Sequence, residues 1–190
     1  MQELEKAILD KGTVLPGNIL KVNSFLNHQV DPALMYQVGK EFADYFKEFG
    51  ITKIITVETS GIAPAVMTGL VMNLPVVFAK KNKSLTVQDN VYAAEVYSYT
   101  KQTTNQIYIE KQFLNSTDKV LIIDDFLANG EATKGLINIC NQVKASVSGI
   151  GIVIEKSFQP GADWLKEHGY QVKSLARIKS LANNKVEFKD

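Results

Sequence analysis

The chain has 190 residues, of which 45% are hydrophobic and 22% charged, a composition typical of a globular domain that can bury a core. Its 21 Lys and Arg and 20 Asp and Glu leave a formal net charge of +1, which argues against a broad surface for nucleic acid. A single cysteine, Cys140, excludes a disulfide framework and favours core packing over a catalytic thiol.

The N-terminal sequence, MQELEKAILDKG, is charged and amphipathic and lacks the apolar stretch of a signal peptide. No segment approaches about 18 consecutive apolar residues, the minimum for a membrane span. We therefore expect a cytoplasmic protein without a membrane partner.

The first 30 residues differ from the rest of the chain. A short helix is predicted at 3–11, with Gly12 as its stop. Residues 13–30 follow as an irregular segment that is unusually apolar for a loop, so we expect it to pack over another part of the fold.

From residue 31 onward, predicted strands alternate with predicted helices. Asp31-Pro32 marks a helix start and Gly50 its stop. Continuously apolar strands are predicted at 53–57, 74–79, 119–124, 148–155 and 171–178, with helices ending near 72, at 131–143 and around 164. This pattern predicts an α/β fold with a parallel sheet covered by helices on both faces. Between the strands at 74–79 and 119–124, residues 80–90 are predicted to form a mobile loop, and residues 91–99 and 106–110 are predicted to pair as a hairpin.

The most informative stretch is VLIIDDFLANGEAT, residues 120–133. Its apolar start predicts a buried strand, and Asp124 and Asp125 follow at the C-terminal end, where open α/β sheets bind ligands. A short loop with Gly130 then opens a helix, whose free N–H groups and dipole suit a phosphate. The two carboxylates repel phosphate, but they can accept hydrogen bonds from vicinal sugar hydroxyls and stabilise positive charge developing on the ring.

This stretch resembles the motif that binds 5-phosphoribosyl 1-diphosphate (PRPP) in the type I phosphoribosyltransferases. The resemblance implies catalytic roles for Asp124 and Asp125. It also implies a PRPP-binding loop formed by Ala128, Asn129, Gly130, Glu131, Ala132 and Thr133. From the residues alone, an N-capped helix after a core strand, with two exposed acids, is the alternative. No Walker A sequence occurs, and Gly149-Ile150-Gly151 lacks the third glycine of a dinucleotide fingerprint.

Further segments are similar to the xanthine phosphoribosyltransferases: VNSFLNHQ (22–29), ETSGIAPAVMTGL (58–70), DDFLANG (124–130) and VIEKSFQPG (153–161). The resemblance implies a single phosphoribosyltransferase domain over 1–190, with a parallel core sheet, a flexible loop hairpin and a hood over the base. Residues 1–30 would belong to the hood, 31–155 to the core, and 156–190 to the hood and the final core elements. By analogy with the family, we also expect a homodimer.

Two loops acquire roles from this resemblance. Residues 58–64 match a pyrophosphate loop, with Thr59, Ser60 and Gly61 near the leaving group; an ordinary strand-to-helix turn is the alternative. Residues 80–86 resemble a flexible loop, with Lys81, Lys83 and Ser84 closing over the diphosphate and excluding water. A solvated surface loop is the alternative there.

The base needs groups outside the PRPP site. Lys156 follows a predicted strand and can donate to a 6-oxo oxygen, while Phe158 can stack on the purine ring. By resemblance, Leu20 and Asn27 contact xanthine, and the Asn27 amide offers both a donor and an acceptor. From the residues alone, core packing is favoured for Leu20, while a core position for Phe158 and an exposed surface position for Lys156 are the alternatives.

The sequence therefore predicts transfer of the 5-phosphoribosyl group of PRPP to N9 of xanthine, with Mg²⁺ bound through PRPP and no metal site built from side chains. We find no Ser/His/Asp or Cys/His set for covalent catalysis. Hypoxanthine or guanine is the alternative base, whereas adenine would place an amino donor against Lys156. A purine-responsive regulator is a second alternative, although the segment before the first core strand carries no basic recognition helix.

Overall fold

The structure is a computed structural model that describes residues 1–81, 90–98 and 102–189. Its N-terminal segment contains α1 (Gln2–Lys11), β1 (Thr13–Leu15), β2 (Ile19–Lys21) and one π-helical turn (Asn23–Asn27). The irregular segment predicted at 13–30 thus contains an antiparallel hairpin. Gly17 and Asn18 form its tight turn with φ of 82° and 59°. Strands of three residues are too short for a period-2 pattern to reveal them.

The helix α2 (Pro32–Phe46) begins as predicted, since the Asp31 side chain accepts a hydrogen bond of 3.2 Å from the backbone N–H of Leu34. It ends before the predicted stop at Gly50. The backbone N–H of Phe49 bonds to the carbonyl of Phe46 at 3.0 Å, which closes the helix with a tighter turn.

The remaining helices and strands are, in chain order, β3 (Lys53–Val57), α3 (Ile62–Met72), β4 (Val76–Ala79), β5 (Val91–Ser98), β6 (Thr103–Glu110), β7 (Lys119–Leu127), α4 (Glu131–Val143), β8 (Ser146–Lys156), α5 (Gly161–Glu167), β9 (Val172–Ser180) and β10 (Glu187–Phe188). Six strands form one sheet in the order β10-β9-β8-β7-β3-β4. All neighbours in it are parallel except β10 and β9. The predicted α/β fold with a parallel core sheet is confirmed.

The strand β7 alternates between two hydrophobic cores, one on each face of the sheet. Leu121 and Ile123 pack with α1 and α2, whereas Val120 and Ile122 pack with α4 and the β5–β6 hairpin. This strand continues past the predicted end at residue 124, because its pairing with β8 extends to Leu127. Sequence reasoning ended the strand where the apolar run met the two acids.

Two glycines in β8 allow α2 to pack closely on the sheet. A Cβ on Gly151 would lie 2.9 Å from the ring of Phe42, and one on Gly149 would overlap the ring of Phe46. The Gly149-Ile150-Gly151 sequence therefore serves core packing.

Cys140 is also fully buried, and burial raises the pKa of its thiol to about 12.

The predicted hairpin is confirmed as β5 and β6, although β6 begins at Thr103, three residues earlier than expected. It packs on α4, where Gln142 donates a hydrogen bond of 2.7 Å to the carbonyl of Ala93. The polar stretch predicted as a mobile loop at 80–90 falls largely on residues 82–89, outside the described residues. Within the described part of the chain, no helix is long and apolar enough to cross a membrane.

Candidate active site

Asp124 and Asp125 lie near the C-terminal end of β7, at the sheet edge where the parallel strands end. Asp124 is only 6% exposed, and its Oδ1 accepts a hydrogen bond of 3.0 Å from the backbone N–H of Asp125. Burial raises the pKa of Asp124 well above its ordinary value, and the negative charge of Asp125 adds to this effect. Asp125 accepts a hydrogen bond of 2.8 Å from Nδ2 of Asn27. The N-terminal segment therefore contacts Asp125 directly.

The loop between β7 and α4 is shaped for close approach by an anion. Gly130 has a φ of 82°, in the region that favours glycine, and α4 begins directly after it. The first N–H groups of a helix have no intrahelical partners and point toward a bound anion. Asn129, Gly130, Glu131 and Ala132 line cavities at this position.

The N-terminus of α5 supports this loop from the other side. The backbone N–H of Gly161 donates a hydrogen bond of 3.0 Å to the carbonyl of Ala128. A Cβ on Gly161 would lie 2.9 Å from the nitrogen of Gly130, so only glycine allows the two segments to approach this closely. This packing holds the loop in position.

Two adjoining cavities share Tyr97, Asp124, Phe126, Glu131 and Ala132. The first cavity has a volume of about 420 Å³ and is also lined by Glu58, Thr59, Ser60, Lys81, Asn105 and Asp125. The second cavity has a volume of about 530 Å³ and is also lined by Gly17, Asn18, Ile19, Ala128, Asn129, Gly130, Lys156 and Gln159. Asp124 therefore lies where the two cavities meet.

Residues 58–61 form one wall of the first cavity. Thr59 and Ser60 line it, and Gly61 packs beneath them, where a Cβ would overlap the hydroxyl of Thr56. The backbone N–H of Lys81 donates a hydrogen bond of 2.6 Å to Oε1 of Glu58, which fixes the start of the predicted flexible loop. Lys81 lines the first cavity, whereas Lys83 and Ser84 lie outside the described residues.

Lys156 is half-buried at the end of β8, and burial lowers the pKa of its ammonium. Its Nζ donates a hydrogen bond of 2.9 Å to the carbonyl of Asn18 and lies 5.9 Å from the ring centroid of Phe126. The turn of the β1–β2 hairpin therefore meets the predicted base-binding lysine directly.

Two of the predicted base-binding residues lie in other surroundings. Leu20 packs in the core with its side chain 6% exposed, and its neighbour Ile19 lines the second cavity. Phe158, in the turn after β8, is 38% exposed. Base contacts by Leu20 and Phe158 stay predictions.

Sequence reasoning missed Asn18, Tyr97, Phe126 and Gln159, all of which line the second cavity. Asn18 follows Gly17, and that pair is a turn signal which could have placed a hairpin tip there. Gln159 lies within the segment 153–161 that carried the resemblance, but glutamine alone gives no chemical signal. Tyr97 lies on a predicted strand and resembles a core residue, whereas Phe126 lies just past the predicted end of the strand at 119–124.

Buried polar atoms without partners also belong to this region. Within the described residues, the side-chain oxygens of Thr56, Thr133 and Gln159 are buried and have no hydrogen-bond partner. Thr56 underlies the 58–61 loop, Thr133 lies in the first turn of α4, and Gln159 lines the second cavity. Such groups are rare in folded proteins, and each calls for a physical explanation such as a catalytic role or a bound water or ion.

Among the described residues, no group of three or more His, Cys, Asp or Glu is placed to hold a metal ion. The carboxylate pair of Asp124 and Asp125 nevertheless fits Mg²⁺, which typically binds one or two carboxylates together with substrate phosphates and water. The donor set thus suits an ion that arrives with a phosphorylated substrate.

Curated relatives cover nearly the whole chain. The xanthine phosphoribosyltransferase of Limosilactobacillus reuteri (strain DSM 20016) is 65% identical over 188 residues, 99% of this chain and 98% of that protein. The enzymes of the same name from Ligilactobacillus salivarius and Acinetobacter baumannii (strain ACICU) are 62% and 59% identical over the same shares of both chains. The chain belongs to the xanthine phosphoribosyltransferase family. The resemblance seen in the sequence is thereby confirmed.

Solved structures place this xanthine phosphoribosyltransferase family member in a wider fold group. Adenine phosphoribosyltransferase from Thermoanaerobacter pseudethanolicus superposes with a TM-score of 0.73 at 19% identity, covering 90% of this chain and 98% of that one. The enzyme from Rhodothermus marinus gives 0.73 at 21% identity, covering 92% and 98%. At these identities the likeness shows the type I phosphoribosyltransferase fold alone. No protein-family model matches the chain.

Proposed function

We propose that the chain transfers the 5-phosphoribosyl group of PRPP to N9 of xanthine, giving xanthosine 5′-monophosphate and pyrophosphate. In this reaction the bond from C1′ to the diphosphate oxygen breaks, a bond from N9 to C1′ forms, and the base loses a proton to solvent. The observation that carries the proposal is the Asp124–Asp125 pair: both acids line the first cavity, Asp124 also lines the second, and the N-terminus of α4 lies beside them.

Each cavity suits one part of this substrate. The N–H groups at residues 129–133 would bind the 5-phosphate, and the 58–61 loop with Lys81 would bind the leaving diphosphate. Asp124 and Asp125 would accept hydrogen bonds from the ribose hydroxyls and stabilise positive charge on the ring as the C1′–oxygen bond breaks. Catalysis then rests on positioning and electrostatics, without a covalent nucleophile.

We further propose that Mg²⁺ enters with PRPP and that the carboxylates of Asp124 and Asp125 help to hold it, which goes beyond the sequence expectation of no metal site built from side chains. When bound, the ion neutralises charge on the leaving pyrophosphate. A bound cation or hydroxyl donor would oppose the effect of burial, which raises the pKa of Asp124.

For the base, Lys156 would donate to the 6-oxo oxygen and Asn27 would read the 2-oxo edge, with Leu20 and Phe158 packing near the ring. Xanthine, hypoxanthine and guanine share the 6-oxo oxygen, so Lys156 cannot distinguish them. The near-full-length relatives support xanthine. Steady-state kcat/KM for xanthine, hypoxanthine, guanine and adenine would test this choice, and a higher value for any other base would contradict it.

The carboxylate pair provides the main test of the proposed reaction. Asp124→Asn with Asp125→Asn should lower kcat for xanthosine 5′-monophosphate formation at least ~10²-fold, because two transition-state electrostatic groups are lost. A matched control, Asp10→Asn with Asp44→Asn, removes two charges from exposed positions outside both cavities and should retain kcat. Near wild-type turnover in a folded Asp124/Asp125 variant would contradict the assignment.

We also propose a homodimer formed through α3 and the edge strand β4. Exposed apolar side chains concentrate on α3, on β4 and in the turn after β6: Val66, Leu70, Val71, Phe78 and Phe113. Val76 lines two surface grooves, one bordered by α3 and the other by β4 and the turn after β6. The apolar surface is therefore continuous. Apolar patches of this kind mark protein interfaces.

A cytoplasmic location stays a prediction.

A further inference from the structure

Glu131 places a negative charge where the proposed substrate is also negative. It is the first residue of α4, directly after Gly130, and it lines both cavities. In the proposed function these cavities receive the 5-phosphate and the diphosphate of PRPP. An unpaired carboxylate at this position would repel both groups in a region partly shielded from solvent.

Lys134 lies one helical turn further along α4 and pairs with that carboxylate. Its Nζ is 3.0 Å from Oε1 of Glu131, and both side chains are about one-third exposed. The Nζ also lies 5.0 Å from the ring centroid of Trp164, a cation–π distance. The His168 ring stacks on Trp164 at 3.9 Å. The ammonium is therefore held between the carboxylate and an aromatic face.

The aromatic side of this arrangement is tied to the phosphate-binding loop. Trp164 belongs to α5, whose first residue, Gly161, donates its N–H to the carbonyl of Ala128. One short helix thus contacts the loop through its N-terminus and contacts Lys134 through Trp164. The position of Lys134 is fixed by the same packing that fixes the loop.

We propose that Lys134 is a positioning residue for PRPP: it neutralises Glu131 and holds its carboxylate away from the phosphate groups. This inference rests on the proposed function. The competing interpretation is a helix-stabilising pair, because an acid in the first turn and an i,i+3 pair each stabilise a helix slightly. A helix-stabilising pair predicts that substitutions change only the stability of the protein. The masking role predicts that they also change the affinity for PRPP.

The test compares wild type, Lys134→Met, Glu131→Gln and the double variant by calorimetric titration with Mg²⁺ and PRPP. Lys134→Met should weaken PRPP binding by about tenfold, because it exposes the Glu131 charge. The double variant should bind PRPP within about twofold of Glu131→Gln, because no charge remains to be masked. The loss in Lys134→Met should shrink as ionic strength rises. KM for xanthine should change less than the affinity for PRPP in Lys134→Met.

Lys144→Met is the matched control, since Lys144 is exposed at the opposite end of α4. If Lys134→Met and the double variant lose affinity equally, Lys134 acts through its own charge and the masking role is wrong. If Lys134→Met lowers only the melting temperature, the pair is a helix stabiliser and the proposal is also wrong. Failure of the wild type to bind PRPP would instead overturn the proposed function itself.

Discussion

Asp124 and Asp125 are neighbours on β7 with different surroundings. Asp124 is buried and its pKa is raised, first by burial and then by the charge of Asp125. Asp125 is less buried and is held by the amide of Asn27. The pair therefore makes ionisation of Asp124 less favourable until a ligand brings positive charge or hydroxyl donors to it.

Binding of Mg²⁺ and PRPP should release protons. The raised pKa of Asp124 falls once a cation or ribose hydroxyls stabilise its ionised form, so a proton leaves wherever the pH lies below the raised value. PRPP affinity should accordingly increase with pH through that range and then level off. Calorimetry in buffers of different ionisation enthalpy measures the released protons.

Asp124→Asn separates this effect from the ionisation of PRPP itself, because the substrate contributes equally in both proteins. The variant should release fewer protons than the wild type. Equal release in both proteins, or proton uptake by the wild type, would show that Asp124 does not ionise on binding.

Asn27 and Lys156 should affect base choice in different ways. Asn27→Leu should narrow the preference for xanthine over hypoxanthine, since xanthine alone has a 2-oxo acceptor and losing that contact typically costs ~1–3 kcal/mol. Lys156→Met should weaken all 6-oxo bases similarly and change the ratio less. The measurement is kcat/KM for xanthine, hypoxanthine and guanine in both variants.

The bond between Asn27 and Asp125 adds a second readout to that experiment. Asn27→Leu also removes this 2.8 Å hydrogen bond, so its effect on KM for PRPP reports the support given to Asp125. An equal loss for all three bases, together with a raised KM for PRPP, would show that Asn27 positions the carboxylate without reading the base.

Some of these positions could be derived from residue chemistry, whereas others could not. The acids, Gly130 and Lys156 follow strand ends that the apolar pattern predicts, so sequence reasoning places them at the ligand-binding edge. Leu20 and Ile19 differ by one residue, and strand alternation sends one to the core and the other to the cavity. Choosing between them requires the short β2 strand, which the sequence pattern does not reveal.

At the scale of elements, Asp118 connects the starts of β3 and β7, far from the cavities. It accepts hydrogen bonds of 2.8 Å from Nζ of Lys53 and from the backbone N–H of Asn115, and one of 3.4 Å from Thr52. Burial alone would raise the pKa of Asp118, but these donors and the Lys53 charge outweigh it and leave the pKa lowered.

Lys53→Met should reduce the free energy of unfolding by about 1–3 kcal/mol at neutral pH, because a mostly buried carboxylate loses its charged partner. The pKa of Asp118 is lowered in the fold, so its contribution is full above the ordinary aspartate pKa and disappears as pH falls through the lowered value. The difference between the two proteins should therefore shrink in acid, as chemical denaturation at several pH values would show. A loss of kcat in folded Lys53→Met would contradict a purely structural role.

The sequence predicts a strand correctly where its apolar run is long. It does not predict a strand end, or a very short strand, that only pairing with a neighbouring strand determines. The strand predicted at 119–124 matches the start of β7, but only its ladder with β8 carries β7 on to Leu127. The two-residue strand β10 pairs with β9 through an irregular register, and no periodic pattern can identify so short a strand. The hairpin β5–β6 was recoverable because it is eight residues long on each side and rich in β-branched and aromatic residues.

At the scale of the whole molecule, acidic and basic residues are nearly equal in number, but the charged residues that line the first cavity are mostly acidic. Four acids line the first cavity, Glu58, Asp124, Asp125 and Glu131, whereas Lys81 is the one Lys or Arg lining it among the described residues. A substrate as negative as PRPP would be repelled from this cavity unless the acids are protonated, paired or bridged by a cation. This balance is the physical reason to expect Mg²⁺ with PRPP and a paired Glu131.

The proposed dimer forms through an apolar surface, in contrast to the acidic first cavity. Leu70 on α3 is 67% exposed within the apolar surface of α3 and β4, so Leu70→Asp should shift a dimer toward monomer by placing a charge in the interface. Light scattering coupled to size-exclusion chromatography measures the mass directly. Leu9→Asp is the matched control, because Leu9 is 59% exposed on α1, outside this surface, and should leave the mass unchanged. A wild type that is monomeric at micromolar concentration, or a Leu70→Asp variant that stays dimeric, would show that these side chains do not form the interface.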